Sequence, residues 1–278
     1  MKIDLHSHTV HSDGQRTPDE LMALAAAAGV GTLAVTDHDT VSGLVEAQAA
    51  ADARGVRLVP GIELSCELHG REVHILGHFI DPRSPAMARL QAEMTAERRE
   101  RMERMVARAA QAGLRGVTME AVVAQSGGET LGRPHLGRVL IDNGHATSMR
   151  QAFDQFLKDG AALWVDRRRL EAREGIALVH EAGGTASLAH PGANNVKKGE
   201  LKVLANMGLD AVEANHPEHV PNQVEAYIRW AEANGMLTTA GSDYHGPKIQ
   251  PDRKLGDRVL EAERFARLEE RAQAKHKA

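Results

Sequence analysis

Four side chains that can bind a metal ion lie within the first thirteen residues of the chain: His6, His8, His11 and Asp13. They follow a short apolar segment that is typical of a strand. Alternate side chains of a strand share a face, so His6 and His8 point the same way and can hold one ion. A single His-x-His pair is weak evidence, because such histidines are commonly structural or surface residues. A metal site here therefore depends on ligands from the rest of the chain.

Further histidines and carboxylates recur along the chain, most of them in or directly after a predicted strand. The other candidate ligands are His38, Glu63, His74, His135, His190, Asp243 and His245, with Asp37 as a supporting residue. Zinc or manganese takes about four to six ligands, so this many donors implies two or three ions that share a bridging carboxylate. Glu63 is our choice for that bridge. Cys66 is the only cysteine, which excludes a thiolate cage and an internal disulfide.

A cluster of divalent ions suits the hydrolysis of phosphate esters. Such ions hold phosphoryl oxygens and lower the pKa of a bound water, which makes hydroxide available near neutral pH. His190, in the sequence Ala-His-Pro, has no settled metal role. Its imidazole could donate to the phosphate or protonate the leaving oxygen. We therefore expect a metal-dependent phosphoesterase.

Alternating strand and helix patterns predict how the ligands are brought together. Strands are predicted in the first residues and at 32–36, 57–62, 72–78, 185–189, 211–214 and 237–240. The carboxyl ends of parallel strands gather at one face of a barrel, so the pattern predicts an α/β fold with a parallel barrel of about seven strands. A doubly wound open sheet is the alternative, but its crevice would not collect residues from every strand.

A mostly helical stretch interrupts this alternation. No clear strand appears between about residue 81 and residues 163–165, which we predict to form one. We therefore predict a barrel domain over 1–81 and 163–278 and a helical insert over 82–162 that contains His135.

Composition restricts the class of protein. No apolar run is long enough for a membrane span, and the N-terminus does not resemble a signal peptide, so we expect a cytoplasmic protein without a membrane partner. The net charge of -4 and the aromatic content of 3% argue weakly against a nucleic-acid surface. The sequence gives no indication of an obligate protein partner, and a small substrate is expected.

The motifs, taken together and in order, resemble those of the polymerase and histidinol phosphatase (PHP) family of metallophosphoesterases. They are His-Ser-His-Thr at 6–9, Thr-Asp-His-Asp at 36–39, Pro-Gly-Ile-Glu at 60–63, Ala-His-Pro at 189–191 and Gly-Ser-Asp-Tyr-His at 241–245. The resemblance covers nearly the whole chain. It implies a distorted seven-stranded β/α barrel with an amidohydrolase-like architecture and a site for three metals.

The resemblance also implies which residues bind each ion. His6, His8, Glu63 and Asp243 would bind the first metal, Asp13, His38 and His245 the second, and Glu63, His74 and His135 the third. We expect two or three divalent ions, manganese first, with zinc or iron as alternatives because imidazole and carboxylate accept all three. Relatives that act on histidinol phosphate often have a histidine at the position of Asp13, so the aspartate here disfavours that substrate.

The insert resembles one branch of the family, which includes 3′,5′-nucleotide bisphosphate phosphatases and a 5′-to-3′ exoribonuclease. Arg98 and Arg101 share a helix face, and Arg133 lies two residues before His135, so all three could bind a second phosphate of the substrate. For Arg98 and Arg101 a solvated, salt-bridged helix face is an equal alternative. His216 and His219 could line the pocket or be structural.

These features predict an enzyme that hydrolyses the 3′-phosphate of 3′,5′-bisphosphonucleotides, such as adenosine 3′,5′-bisphosphate, by attack of a metal-bridging hydroxide. We expect turnover to depend on His190, Asp13 and His38. The alternatives are a 5′-to-3′ exoribonuclease on short 5′-phosphorylated RNA, a histidinol phosphate phosphatase and a binding module without catalysis.

Overall fold

The computed structural model describes residues 1–126, 131–166 and 169–275. The chain forms two compact units, one made of Met1–Leu90 and Arg169–Ala278 and the other of Gln91–Arg168. Within the described ranges, no helix combines the length and the apolar character that a membrane span needs.

The first unit is built on a mixed sheet. Its strands are β1 (Lys2–Asp4), β2 (Val30–Val35), β3 (Arg57–Leu68), β4 (Arg71–His78), β5 (Leu170–Glu171), β6 (Thr185–Leu188), β7 (Ala211–Asn215) and β8 (Leu237–Ala240). The hydrogen-bonded order is β1-β2-β3-β4-β6-β7-β8, and β5 pairs with β3 beside this path. The predicted α/β class is thus confirmed, with seven strands on the main path of the sheet.

Helices alternate with these strands. They are α1 (Pro18–Ala27), α2 (Leu44–Asp52), α3 (Pro85–Gln111), α4 (Met119–Ser126), α5 (Arg133–Asp142), α6 (Met149–Ala152), α7 (Ala172–Glu181), α8 (Lys198–Asn206), α9 (Pro221–Ala233) and α10 (Ala262–Lys275). Local chemistry explains where α1 begins: Thr17 accepts a hydrogen bond from the Glu20 N–H, and the Glu20 carboxylate accepts one from the Thr17 N–H. Such a reciprocal cap, with Pro18 in the first turn, is a local sequence pattern that favours the start of a helix.

The sheet departs from the predicted parallel arrangement at β4. This strand is antiparallel to both of its neighbours, β3 and β6. The reason is the two-residue turn at His69 and Gly70, both with positive φ, because so short a link joins only antiparallel strands. The same hairpin explains why β3, predicted over 57–62, continues to Leu68.

The two ends of the sheet meet just beyond β1 and β8. The Leu5 N–H donates to the Ala240 carbonyl at 3.0 Å, and the Asp243 N–H donates to the His6 carbonyl at 2.9 Å. Ser7 and Tyr244 form an isolated parallel bridge, although β1 and β8 share no continuous ladder. The sheet is therefore drawn together at the edge where the candidate ligands emerge.

The predicted strand at 163–165 is wrong, since these residues are irregular. The Val165 carbonyl accepts a hydrogen bond from Arg101 Nε at 2.7 Å instead of joining a ladder, and β5 pairs with Cys66 and Glu67 of β3. The second unit contains most of α3 together with α4 to α6 and a π-helical turn, Phe153–Leu157. Its own core includes Met105, Val122, Leu136 and Leu157.

A buried carboxylate joins two helices to the sheet just before β7. Asp210 Oδ2 accepts hydrogen bonds from the Ala186 N–H at 2.9 Å, His180 Nε2 at 2.8 Å and Lys275 Nζ at 2.7 Å, and Oδ1 accepts one from Arg271 at 3.3 Å. Burial raises the pKa of Asp210, but His180, Lys275 and the Ala186 N–H lower it by more, to about 2. This carboxylate therefore stabilises the fold only while it is ionised.

Replacing Asp210 with Asn should destabilise the protein in a pH-dependent way. We expect the free energy of unfolding at pH 7 to fall by about 2–3 kcal/mol, since charge-assisted hydrogen bonds are lost. The folded-state pKa is depressed, so the difference should be full above about pH 4 and disappear as the pH falls toward 2. Urea unfolding of the wild type and Asp210→Asn, measured between about pH 2 and pH 7, tests this prediction. Glu263→Gln, on the exposed start of α10, should show no such dependence; a pH-independent loss in Asp210→Asn would contradict the prediction.

Candidate metal centre

The structure brings eight of the predicted ligands together in three overlapping groups. The groups are His6, His8, Glu63 and Asp243; His8, Asp13, His38 and His245; and His38, Glu63 and His74. Within each group the ligand atoms lie within 4.8 Å of one another. Most of these side chains follow the carboxyl ends of β1, β2 and β8, whereas Glu63 and His74 lie inside the β3–β4 hairpin. They share one face of it, because Ser65 pairs with His74 and Glu63 lies two residues away.

The first group has the dimensions of a metal-binding site. His6 Nε2 lies 3.1 Å from His8 Nε2, 3.1 Å from Glu63 Oε2 and 3.4 Å from Asp243 Oδ1. His8 Nε2 lies 3.2 Å from each of the same two oxygens. Four ligands about 2.0–2.1 Å from a tetrahedral ion are separated by about 3.3 Å. The donor set of the first group therefore fits a divalent ion.

The two carboxylate oxygens of Glu63 face different sets of histidines. Oε2 faces His6 and His8 and lies 3.4 Å from His38 Nε2. Oε1 lies 2.9 Å from His74 Nδ1 and 3.0 Å from His190 Nε2. A carboxylate with one oxygen directed to each side can bridge two ions, as the sequence predicts for this residue.

The second group depends on a short loop after β1. Asp13 Oδ1 lies 3.2 Å from His245 Nε2, and Asp13 Oδ2 lies 3.8 Å from His38 Nε2. Asp37 fastens this loop, because its carboxylate accepts hydrogen bonds from the Thr9 N–H at 2.7 Å, the Thr9 hydroxyl at 2.6 Å and the Ser12 hydroxyl at 2.7 Å. The Asp13 side chain is 55% exposed, whereas those of His6 and His8 are fully buried. Asp13 therefore lies on the open side of the cluster.

Electrostatics around the cluster favour a bound cation. Burial lowers the pKa of His8, but hydrogen bonds to Asp243 and Glu63 raise it by more, to about 9. Burial also opposes protonation of His74, yet Glu63 and Glu72 raise its pKa to about 10. Burial raises the pKa of Glu63, while the surrounding histidines hold it well below its usual range. These shifts show a strong negative field, which a divalent ion can neutralise in place of protons.

Two carboxylates hold the outer nitrogens of ligand histidines. Glu213 Oε1 lies 3.0 Å from His6 Nδ1, and its other oxygen accepts the His190 N–H at 2.8 Å. Glu72 Oε1 lies 3.1 Å from His74 Nε2. A carboxylate in this position fixes the tautomer and orientation of a metal-binding histidine. Neither contact is among the predictions from sequence; the signal that the sequence contains is an acid between apolar residues of β7 and another acid two residues before His74.

Backbone strain marks the same edge of the sheet. Asp39, His190 and Asp243 have φ values of 54°, 26° and 50°, in the region that favours glycine. Each follows the end of a strand directly or within a few residues. Non-glycine residues in this conformation cost about 1–3 kcal/mol each and concentrate at functional sites. The fold therefore keeps these residues in place despite their unfavourable backbone conformation.

The remaining predicted residues have other partners. His135, in the second unit, accepts a hydrogen bond at Nδ1 from the Gly132 N–H at 3.1 Å. Arg133 donates to the Leu157 carbonyl and to Asp159, each at 3.2 Å, Arg101 donates to Val165, and Arg98 is half-buried. Their predicted roles in metal and substrate binding stay predictions.

His216 and His219 differ in their contacts. His219 donates from Nδ1 to the Ala214 carbonyl at 2.8 Å and accepts the Gly192 N–H at Nε2, so both ring nitrogens have backbone partners. This pattern is typical of a histidine that supports the backbone. His216 Nε2 instead lies 3.3 Å from Asp243 Oδ2, within the candidate site.

Comparison with known proteins identifies similar chains. The family model described as the PHP domain matches residues 4–78. The chain is 35% identical over 261 residues to the 5′-3′ exoribonuclease Rnm of Escherichia coli (strain K12), covering 91% of this chain and 88% of the relative. It is 33% identical over 249 residues to the 3′,5′-nucleoside bisphosphate phosphatase of Chromobacterium violaceum, covering 88% and 87%. The crystal structure of a proposed metal-dependent phosphoesterase from Bifidobacterium adolescentis ATCC 15703 is 32% identical, with a TM-score of 0.77 and coverage of 96% and 95%.

Gly241 allows the chain after β8 to approach β1, and its replacement should disrupt the site. A Cβ at this position would lie 2.3 Å from His6 Cβ and 2.6 Å from the His6 backbone nitrogen. We expect Gly241→Ala to lose about 1–3 kcal/mol of stability and to bind fewer equivalents of metal, because His6 must move. Metal analysis and thermal unfolding provide the measurements. Gly199→Ala, which meets no atom within 4 Å, is the control. Normal metal content in Gly241→Ala would show that the contact is not needed.

Proposed function

Since this chain belongs to the PHP family of metal-dependent phosphoesterases, we propose that it hydrolyses the 3′-phosphate of 3′,5′-bisphosphonucleotides and leaves the 5′-nucleotide. The observation that carries the proposal is the set of donors around Glu63, whose two oxygens face different groups of histidines. The identity of 33% to the bisphosphate phosphatase of C. violaceum supports this substrate class.

Each part of the candidate centre has a proposed task. Divalent ions, when bound, supply positive charge for phosphoryl oxygens and lower the pKa of an attacking water. Buried His6, His8, Glu63 and Asp243 would hold one ion rigidly, while Asp13, on the open side, leaves room for the substrate. We propose manganese first, with zinc or iron as alternatives, because the donors are all imidazole and carboxylate.

His190 is the proposed proton donor to the leaving oxygen, but its position also supports a second role. Its Nε2 contacts the same oxygen of Glu63 that His74 contacts. It could therefore complete the third metal site, the role that the resemblance gives to His135. His190→Ala should lose one equivalent of metal if His190 is a ligand, or retain all metal with a low kcat if it is the acid. A loss of metal in His135→Ala instead would favour the original assignment.

A 5′-to-3′ exoribonuclease is the second candidate, favoured by the identity of 35% to E. coli Rnm. It would use the same metals but needs to admit a chain of nucleotides. Incubation with a short 5′-phosphorylated RNA and analysis for mononucleotides separates the two functions. Efficient release of mononucleotides without turnover of bisphosphates would replace the first proposal.

The metal-loaded protein should release inorganic phosphate from adenosine 3′,5′-bisphosphate. Asp13→Ala and His38→Ala should abolish turnover while the circular dichroism spectrum is unchanged, because each removes a ligand from a preformed cluster. His11→Ala is the matched control, since His11 contacts Ser42 and Glu46 rather than the cluster. The proposal fails if the wild type shows no turnover with manganese, zinc or iron.

The proposed phosphate-binding arginines of the second unit, Arg98, Arg101 and Arg133, are tested most directly at Arg133. Arg133→Ala should raise KM for the bisphosphate by about tenfold or more with little change in kcat, because a charge-assisted hydrogen bond to the substrate is lost. Steady-state kinetics are compared with those of Arg138→Ala, an exposed position on the same helix. Unchanged kinetics in Arg133→Ala would assign Arg133 only to its contacts with Leu157 and Asp159.

A further inference from the structure

The two oxygens of Asp243 have different surroundings. Oδ1 faces the cluster and lies 3.4 Å from His6 Nε2, 3.2 Å from His8 Nε2 and 3.4 Å from His245 Nδ1. Oδ2 faces away from these nitrogens, toward Arg253 Nη1 at 2.5 Å and His216 Nε2 at 3.3 Å. The carboxylate thus has one oxygen for a metal and another that is held by protein donors.

The partners of Oδ2 are themselves fixed. His216 Nδ1 accepts the Glu218 N–H at 3.2 Å, so the ring proton lies on Nε2 and can be donated to Asp243. Arg253 Nη1 also donates to the Asp243 carbonyl at 3.2 Å, and Nη2 donates to the Glu218 carboxylate. Asp243, His216, Glu218 and Arg253 therefore form a closed ring of contacts. The side chains of His216 and Arg253 are only 1% and 12% exposed.

We infer that Arg253 and His216 are positioning residues that hold Asp243 Oδ2, so that Asp243 offers only Oδ1 to the metal site. The inference rests on the proposed metal centre, but it concerns how that centre is assembled rather than which substrate it uses. Asp243 needs such support because its backbone has a φ of 50°. Arg253 binds the carbonyl and the carboxylate of the same residue and thereby stabilises both its backbone and its rotamer.

Two possible roles of Arg253, neutralising the Asp243 carboxylate or orienting it, predict opposite changes in metal affinity when Arg253 is removed. If the guanidinium only neutralised the carboxylate, its loss would leave Asp243 more negative and strengthen metal binding. If it positions the carboxylate, its loss allows rotation of the side chain and weakens binding. Loss of a residue that orients a ligand typically costs about 10–100-fold in metal affinity. The direction of the change therefore separates the two roles.

The experiment compares metal affinity in folded variants. Metal-free wild type, Arg253→Met and Arg253→Lys are titrated with Mn²⁺ and with Zn²⁺ against a competing chelator, and the rise in Tm on metal addition is recorded. We expect Arg253→Met to bind about 10–100-fold more weakly and to show a smaller rise in Tm. Arg253→Lys, which keeps the charge and a hydrogen-bond donor group, should recover part of the affinity.

Further variants provide a control and a replacement in case Arg253→Met does not fold. Arg264→Met is the control. It removes another arginine that donates from both Nη atoms, to Thr238 and Glu232, and it should bind metal like the wild type. If Arg253→Met does not fold, His216→Leu and His216→Gln replace it. The Leu variant should bind metal more weakly, and the Gln variant, which keeps a donor, should recover.

Metal affinity of the variants and bisphosphate turnover by the wild type test the inference and the proposed function separately. Wild-type affinity, or tighter binding, in folded Arg253→Met or His216→Leu would overturn the inference. Absence of bisphosphate turnover by the wild type would reject the proposed substrate but leave the comparison of affinities intact.

Discussion

The structure depends on one buried carboxylate, Glu63, which is fully shielded from solvent. An isolated charge in such a place costs many kcal/mol, so it must be compensated by cations or donors. The fold supplies histidines on both of its oxygens, and burial makes each of these contacts stronger than it would be in water. A divalent ion would complete this compensation. Histidines from several parts of the chain therefore surround the Glu63 carboxylate and compensate its buried charge.

The backbone meets this requirement by departing from a regular parallel barrel. The hairpin of β3 and β4 places Glu63 and His74 on one face of two adjacent strands. At the opposite end of the chain, Gly241 lets the segment after β8 pass against His6, and the contacts of Leu5 with Ala240 hold the sheet together there. Small residues and strained conformations are concentrated where the strands must converge, which is the usual cost of a preorganised site.

Around the cluster a second layer of residues fixes the ligands. Glu213 and Glu72 hold histidines, and Arg253 with His216 holds Asp243. Each of these contacts removes rotational freedom from a side chain before any ion binds, so less entropy is lost when the site is filled. Asp210 and its partners on α7 and α10, by contrast, join these helices to the sheet and contribute to stability rather than to chemistry. The candidate metal centre and the stability of the fold thus rely on different buried acids.

The sequence by itself determined the α/β class, the start of α1 and a set of ligands of which eight converge in the structure. These follow from local rules: alternation of apolar residues, capping chemistry and the donor type that metals require. Only the tertiary structure decided the direction of β4, the course of residues 163–165 and the contacts of Glu213, Arg253 and His216. The physical reason is that a strand's direction and a side chain's partner depend on contacts between distant segments. Arg253 and His216 are far apart in sequence, and the fold brings them together around Asp243 and Glu218.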